Sequence, residues 1–365
     1  MIEKAETIKF KKIGFDQEKY IKLQKAKILD AVSNFGGGKL YLEVCGEFLN
    51  DDFASNFLPG FNPDSKKIIF SELSNQIEVL FCVKADDILN NIEINGQNIH
   101  DYLWQIARSI EKNLGVKSHI VINQIDVENM FDMVLDFEKE FQKKGYRVWE
   151  RYKINGYPAN IKNVLSENGL GNDDHIPLTK NLILVTGLSG AGKTSTCLGQ
   201  IYLDHQIEIK SGYAKYKILP AWNLDIFHPV NLADNINLLE NGNSISFDEL
   251  HKKEYGMSSV INSDSIENFE NIMAIVRQIV THKNYMIKYK SPTDMIINCT
   301  GFAISNDEII SIACFNEIQR KIKYYEENLK EGENKIEILK ICEEIENKCK
   351  QYCDQKKYNC DQKIC

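Results

Sequence analysis

The chain has 365 residues, 43% hydrophobic and 26% charged, with a formal net charge of −8, a balance that predicts a globular protein of about two domains with proper cores and does not call for disorder. The acidic balance excludes a general nucleic-acid binder, since phosphate-backbone affinity comes from clustered Lys and Arg. No segment has the apolar length of a signal peptide or membrane span, so a cytoplasmic protein without a membrane partner is expected, its ten cysteines reduced.

The N-terminal half alternates strand-like and helix-like segments. Lys39 to Cys45 and Ile77 to Lys84 are apolar runs of strand length. Ile99 to Leu114 places Ile99, Tyr102, Leu103, Ile106, Ala107, Ile110 and Leu114 on one helical face and stops at Gly115. His119 to Gln124 reads as a strand, Val127 to Lys144 as a helix with a Met130, Val134, Phe137 and Phe141 stripe, and Tyr146 to Ile154 as a further strand. This order predicts an α/β fold with parallel or mostly parallel sheets in doubly wound, Rossmann-like layers. Asn155 to Lys180, punctuated by Gly156, Pro158, Gly169, Gly171 and Pro177, is a long polar excursion of the kind that carries function in compact proteins.

Asn181 to Thr186 is a buried-strand signal, and it leads into Gly187-Leu188-Ser189-Gly190-Ala191-Gly192-Lys193-Thr194. That stretch fills the P-loop pattern G-x-x-x-x-G-K-[ST] at every fixed position. Cys197, Leu198, Ile201 and Tyr202 follow at helical spacing. Glycines let the backbone turn several N–H groups toward one anion, and the helix N-terminus adds partial positive charge. The predicted nucleotide-binding set is therefore Gly187, Ser189, Gly190, Ala191, Gly192, Lys193, Thr194 and Ser195. Lys193 is assigned to the β/γ-phosphates and to catalysis, and the Thr194 hydroxyl to Mg²⁺, which prefers oxygen ligands. The implied cofactor is ATP or GTP with Mg²⁺, and the implied partner a small-molecule substrate.

Beyond the loop, Ile266 to His282 is a predicted helix and Met295 to Cys299 a short strand. Ser305 to Glu308 forms a capping box for a helix to about Leu329, broken at Gly332, with a second helix from near Lys335. Ile338, Cys342, Ile345, Cys349 and Tyr352 recur at 4-3-4-3 spacing. With no C-x₂-C pair and no nearby His, that spacing reads as a seam packed on the preceding helix rather than a metal site. Cys45, Cys82, Cys197 and Cys299 sit in apolar contexts as small hydrophobes. The expected division is an N-terminal α/β domain over 1–158, a loop-bearing α/β region over 159–304 and a helical segment over 305–365.

Phosphoryl transfer also needs a metal-holding carboxylate, usually at the end of a neighbouring strand. Downstream of the loop, Asp225 is assigned to the metal and Asp294 to catalysis, each with a turn or cap role as the alternative. His228 is the candidate proton carrier, its alternative being a turn set by Pro229. Lys215 and Lys290 would offset phosphate charge, and Asp51 and Asp52 form a further acidic pair.

Several separated segments carry a family resemblance: Phe35 to Leu42, Leu58-Pro59-Gly60-Phe61, Gly156-Tyr157-Pro158, Gly212-Tyr213-Ala214-Lys215, Trp222-Asn223-Leu224, His228 to Ala233, and Lys290 to Met295. Through them the chain from about Ile13 to Glu331 resembles the bacterial uncharacterised protein family 0371, defined by a domain of unknown function. The resemblance implies a cytoplasmic α/β protein and brings no reaction. It also implies a further C-terminal domain that this chain lacks. Relatives usually carry no Ser or Thr directly after the loop lysine, where this chain has Thr194. Around Asp51 to Asn56 they usually carry a His and an Arg that this chain replaces. Two readings follow. One is a kinase-like or NTP-hydrolysing P-loop enzyme acting on a small molecule. The other is a non-catalytic nucleotide- or phosphate-binding protein, or a scaffold forming a homo-oligomer through its terminal helices.

Overall fold

A computed structural model describes residues 10–239, 242–329 and 332–359. Its strands are β1 (Lys39–Val44), β2 (Ile77–Lys84), β3 (Glu93–Ile94), β4 (Gln97–Asn98), β5 (Ser118–Ile125), β6 (Val148–Tyr152), β7 (Leu182–Gly187), β8 (Ser211–Tyr216), β9 (Ile245–Phe247), β10 (Val260–Asn262) and β11 (Ile296–Ile297). Seven of them build one sheet in the order β11-β8-β1-β7-β2-β5-β6, and every neighbouring pair in it is parallel. Two small antiparallel pairs, β3 with β4 and β9 with β10, stand outside it.

Side chains on both faces of β1 are buried, as are all those of β7 before Gly187. Such continuous apolar strands are stable only when helices cover both faces. Helix Lys193–Gln206 packs on β1, β7 and β8 and touches helix Ser263–Ile279. Helix Gln17–Ser33 packs on β1 and β11 and touches helix Ser65–Glu72, which in turn meets helix Ile99–Leu114. Right-handed crossovers that leave β1 and β7 in opposite directions place their helices on opposite faces, so the fold is the doubly wound α/β architecture.

The sheet does not follow the expected boundary between residues 158 and 159. Strand β7, from beyond that boundary, lies between β1 and β2, while β1 lies between β7 and β8. Parallel strands buried on both faces share one apolar pattern, so their sequence carries no mark of their lateral order. Strand β8 escapes a pattern reading because Ser-Gly-Tyr-Ala-Lys-Tyr is no apolar run, yet tyrosines 213 and 216 are fully buried. The predicted strand over Met295 to Cys299 shortens to β11 between two 3₁₀ turns, Pro292–Met295 and Thr300–Ala303.

Helices Asp307–Asn328 and Glu333–Lys356 pack on each other and on helix Pro229–Leu238. Asn306, rather than Ser305, caps the first of them, accepting from the Ile309 N–H. Ile338, Cys342, Ile345 and Cys349 are buried in the seam. Cys82, Cys197 and Cys299 are buried free thiols and Cys45 a half-buried one, whereas Cys353 is disulfide-bonded, which departs from the expectation of reduced thiols throughout. No helix among the described residues is long and apolar enough to cross a membrane.

Candidate functional site

The connection leaving β7 runs toward β8 and that leaving β2 runs the other way, toward β5. Loops that diverge like this open a crevice at the carboxyl ends of the strands, and the Gly187–Thr194 loop lies in it. Gly187, Gly190 and Gly192 have φ of +144°, +72° and +78°, in the region that favours glycine. A Cβ on Gly187 would stand 2.1 Å from the Cys82 carbonyl oxygen of the paired strand. Gly187→Ala is expected to destabilise the fold by about 2–5 kcal/mol through strain and overlap. A urea midpoint equal to that of the unchanged chain would refute this account of the position.

Gly192 is the N-cap of helix Lys193–Gln206 and brings no side chain, leaving the first-turn N–H groups directed into the crevice. The Lys193 ammonium folds back over the loop, donating to the Gly187 carbonyl at 3.1 Å and to the Leu188 carbonyl at 2.8 Å. Thr194 Oγ1 donates to Glu43 Oε2 at 2.7 Å, and the Tyr213 hydroxyl donates to the same oxygen at 2.6 Å. Glu43 comes from β1, beside β7, and is 6% exposed. Burial raises its carboxyl, but Lys215, the bonds from Tyr213 and Thr194, and Lys193 outweigh that and hold it below the ordinary carboxylate value.

Polar groups behind the loop fix its shape. Asn123 Nδ2 donates to the Ala191 carbonyl at 2.8 Å and Gln124 Nε2 to the Gly190 carbonyl at 3.0 Å. Arg151 Nη1 donates to Asn123 Oδ1, Ser195 Oγ and Thr196 Oγ1 at 3.1–3.3 Å. Its Nε and Nη2 pair with Asp173 Oδ2 at 2.9 and 2.6 Å. Arg151 and Asp173 are both buried.

The crevice has a volume of about 1190 Å³ and extends from the loop past Glu43, Lys215 and Lys217 on one side and toward Tyr102 and Tyr157 on the other. Gly187, Ser189, Gly190, Gly192, Lys193, Thr194 and Ser195 line it together. Ala191 is buried beneath. Pro158 and Tyr157, from the polar excursion after β6, close one wall.

Three of the residues expected at the site lie elsewhere. Asp225 accepts from the Phe227 N–H at 2.8 Å in a turn. His228 caps helix Pro229–Leu238, its Nδ1 accepting from the Val230 N–H and its Nε2 lying 2.8 Å from Asp307 Oδ1. Asp294 accepts from the Tyr255 hydroxyl and from the Lys290 and Ser291 N–H groups, on a second cleft of about 790 Å³ walled by Trp222, Tyr289 and Phe302. In these places the turn and cap readings describe the residues, and Lys290 is exposed. The carboxylate at the Thr194 hydroxyl, Glu43, lies upstream of the loop in sequence, not downstream as expected. The available signal was an apolar strand, Lys39–Val44, with an acidic residue near its carboxyl end.

The family model for a domain of unknown function, "DUF1846, N-terminal", matches residues 13–350. UPF0371 proteins of Streptococcus pyogenes serotype M5 (strain Manfredo) and Streptococcus thermophilus (strain ATCC BAA-491 / LMD-9) are each 36% identical over 321 residues. That covers 87% of this chain and 63% of each relative, so the chain spans less than two thirds of the length of these curated relatives.

Proposed function

The chain belongs to the DUF1846 family, and from that premise, which carries no reaction, we propose that it binds a nucleoside triphosphate with Mg²⁺ on the Gly187–Ser195 loop. The bound nucleotide is hydrolysed or donates its terminal phosphoryl group to a small molecule. The observation that carries this reading is the 2.7 Å contact of Thr194 Oγ1 with the buried Glu43 carboxyl, held below its ordinary value, on the strand next to the loop. A hydroxyl and a carboxylate at one point are the oxygen donors that Mg²⁺ takes beside a nucleotide. When bound, the metal would supply neutralisation of phosphate charge. Loop N–H groups would hold the phosphates, Lys193 would turn from its own loop carbonyls to them, and Arg151 would keep the loop in shape from behind. A cytoplasmic location belongs to the same reading.

The test is isothermal titration of the chain with ATP and GTP, each with and without Mg²⁺, beside Glu43→Gln. Removing the charge while keeping the shape is expected to weaken Mg²⁺-dependent binding by about 10- to 100-fold and to leave metal-free binding little changed. Because the Glu43 carboxyl is held below its ordinary value, it stays ionised as pH falls to that value, so metal dependence should persist there. Equal metal dependence in both chains would remove Glu43 from the metal side. A nucleotide binder without turnover is the second reading, favoured by the placement of His228 and Asp294 outside the crevice.

A further inference from the structure

Lys215 and Lys217 enter the crevice from β8 and the residues just after it. Lys215 is level with Glu43 in the parallel register, one strand farther from the loop. Strands are spaced about 4.8 Å apart, so β8 lies about 10 Å from β7, on the far side of the Thr194 and Glu43 pair. That separation leaves room for a second small molecule beside a nucleotide's terminal phosphate.

Lys217 is the poorly compensated one of the two ammonium groups, whereas the Glu43 carboxylate holds Lys215 above the usual lysine value despite its burial. Lys217 is 9% exposed and donates to two neutral oxygens, Asn262 Oδ1 at 2.8 Å and Ser265 Oγ at 3.3 Å. The Lys215 ammonium makes no hydrogen bond, and neither lysine forms an ion pair, among the described residues. Carboxylates do face them at longer range: Glu43, already engaged by Thr194 and Tyr213, Asp264, which also lines the crevice, and the buried Asp234 on the Lys217 side. Burial, and the neighbouring Lys215 charge, pull Lys217 below the usual lysine value. Two cations side by side in a concave, partly desolvated place, neither in a contact ion pair among the described residues, favour an anion between them.

Resting on the nucleotide reading for its neighbour, we propose that Lys215 and Lys217 form a second subsite for a small molecule bearing its own carboxylate or phosphate group. The subsite would orient that molecule toward the terminal phosphate by charge-assisted hydrogen bonds.

Titrations of inorganic phosphate and of succinate test the proposal, first into the chain saturated with Mg²⁺·ADP and then into Lys193→Ala without nucleotide. At least one anion is expected to bind in both settings, and which one binds separates phosphate-bearing from carboxylate-bearing ligands. Lys217→Met should weaken that binding about tenfold or more, while the Mg²⁺·ADP affinity stays within about threefold. Lys215→Met is the second variant and should weaken anion binding in the same direction. Absence of binding by both anions in both settings, or undiminished binding in both lysine variants, overturns the subsite. Failure of Mg²⁺·ADP to bind, with anion capture by Lys193→Ala that is lost in Lys193→Ala/Lys217→Met, would sink the nucleotide reading and uphold the subsite.

Discussion

Lys193→Ala is expected to weaken Mg²⁺·ATP binding at least about 100-fold while leaving the melting temperature nearly unchanged. Among the described residues the Lys193 ammonium donates only to two carbonyls of its own loop, at 3.1 and 2.8 Å, in a half-exposed setting. Removing it frees carbonyls that water in the crevice can reach, and a hydrogen bond of that kind contributes only about 0.5–1.5 kcal/mol net. Toward a triphosphate the same group would make charge-assisted bonds worth about 1.5–3 kcal/mol each, and two of them amount to a factor of about 100 or more. Affinity and stability therefore respond differently to one substitution. Titration calorimetry and a thermal melt on the same preparation measure both. A variant that binds Mg²⁺·ATP as tightly as the unchanged chain would mean that the loop is a structural turn.

Arg151→Met should show the opposite pattern, a loss of stability first and of binding as its consequence. The guanidinium is 3% exposed and ties Asp173 to Asn123, Ser195 and Thr196. Removing it leaves the Asp173 carboxylate buried without its cation, a defect that costs about 3–5 kcal/mol. The loop would also lose the brace between β6 and the first turn of helix Lys193–Gln206. A urea titration reads the cost, and Arg151→Met/Asp173→Leu should recover much of it because an apolar pair leaves no orphaned charge. A single variant that lost less than about 1 kcal/mol would show that water reaches Asp173 and that the brace is not the source of loop rigidity.

Sequence periodicity located helix Ile99–Leu114 to the residue and helix Val127–Lys143 to within one, since both carry a strong apolar stripe with glycine at or just beyond the end. Helix Gln17–Ser33 carries no clear periodic signal, because its Lys and Gln content blurs the stripe, although Tyr20, Gln24 and Ile28 are buried on one side. Gln24 is polar yet fully buried, donating to the Ile297 carbonyl and accepting from the Cys299 N–H. A polar residue that satisfies backbone groups far along the chain looks like a surface position in any local window.

The same division runs through the site. The sequence by itself determined the glycine-rich loop with its strand and helix, because backbone conformation and the lysine and hydroxyl positions depend on residues only a few places apart. It also determined the α/β class, since alternating strand and helix periods allow few other packings. Only the tertiary structure decided that Glu43, and not Asp225, stands at the Thr194 hydroxyl, that Arg151 braces the loop, and that Lys215 and Lys217 share its crevice. Those neighbours come from β1, β6, β8 and the residue just beyond β8, and their closeness follows from the lateral order of parallel strands, which strand composition does not encode.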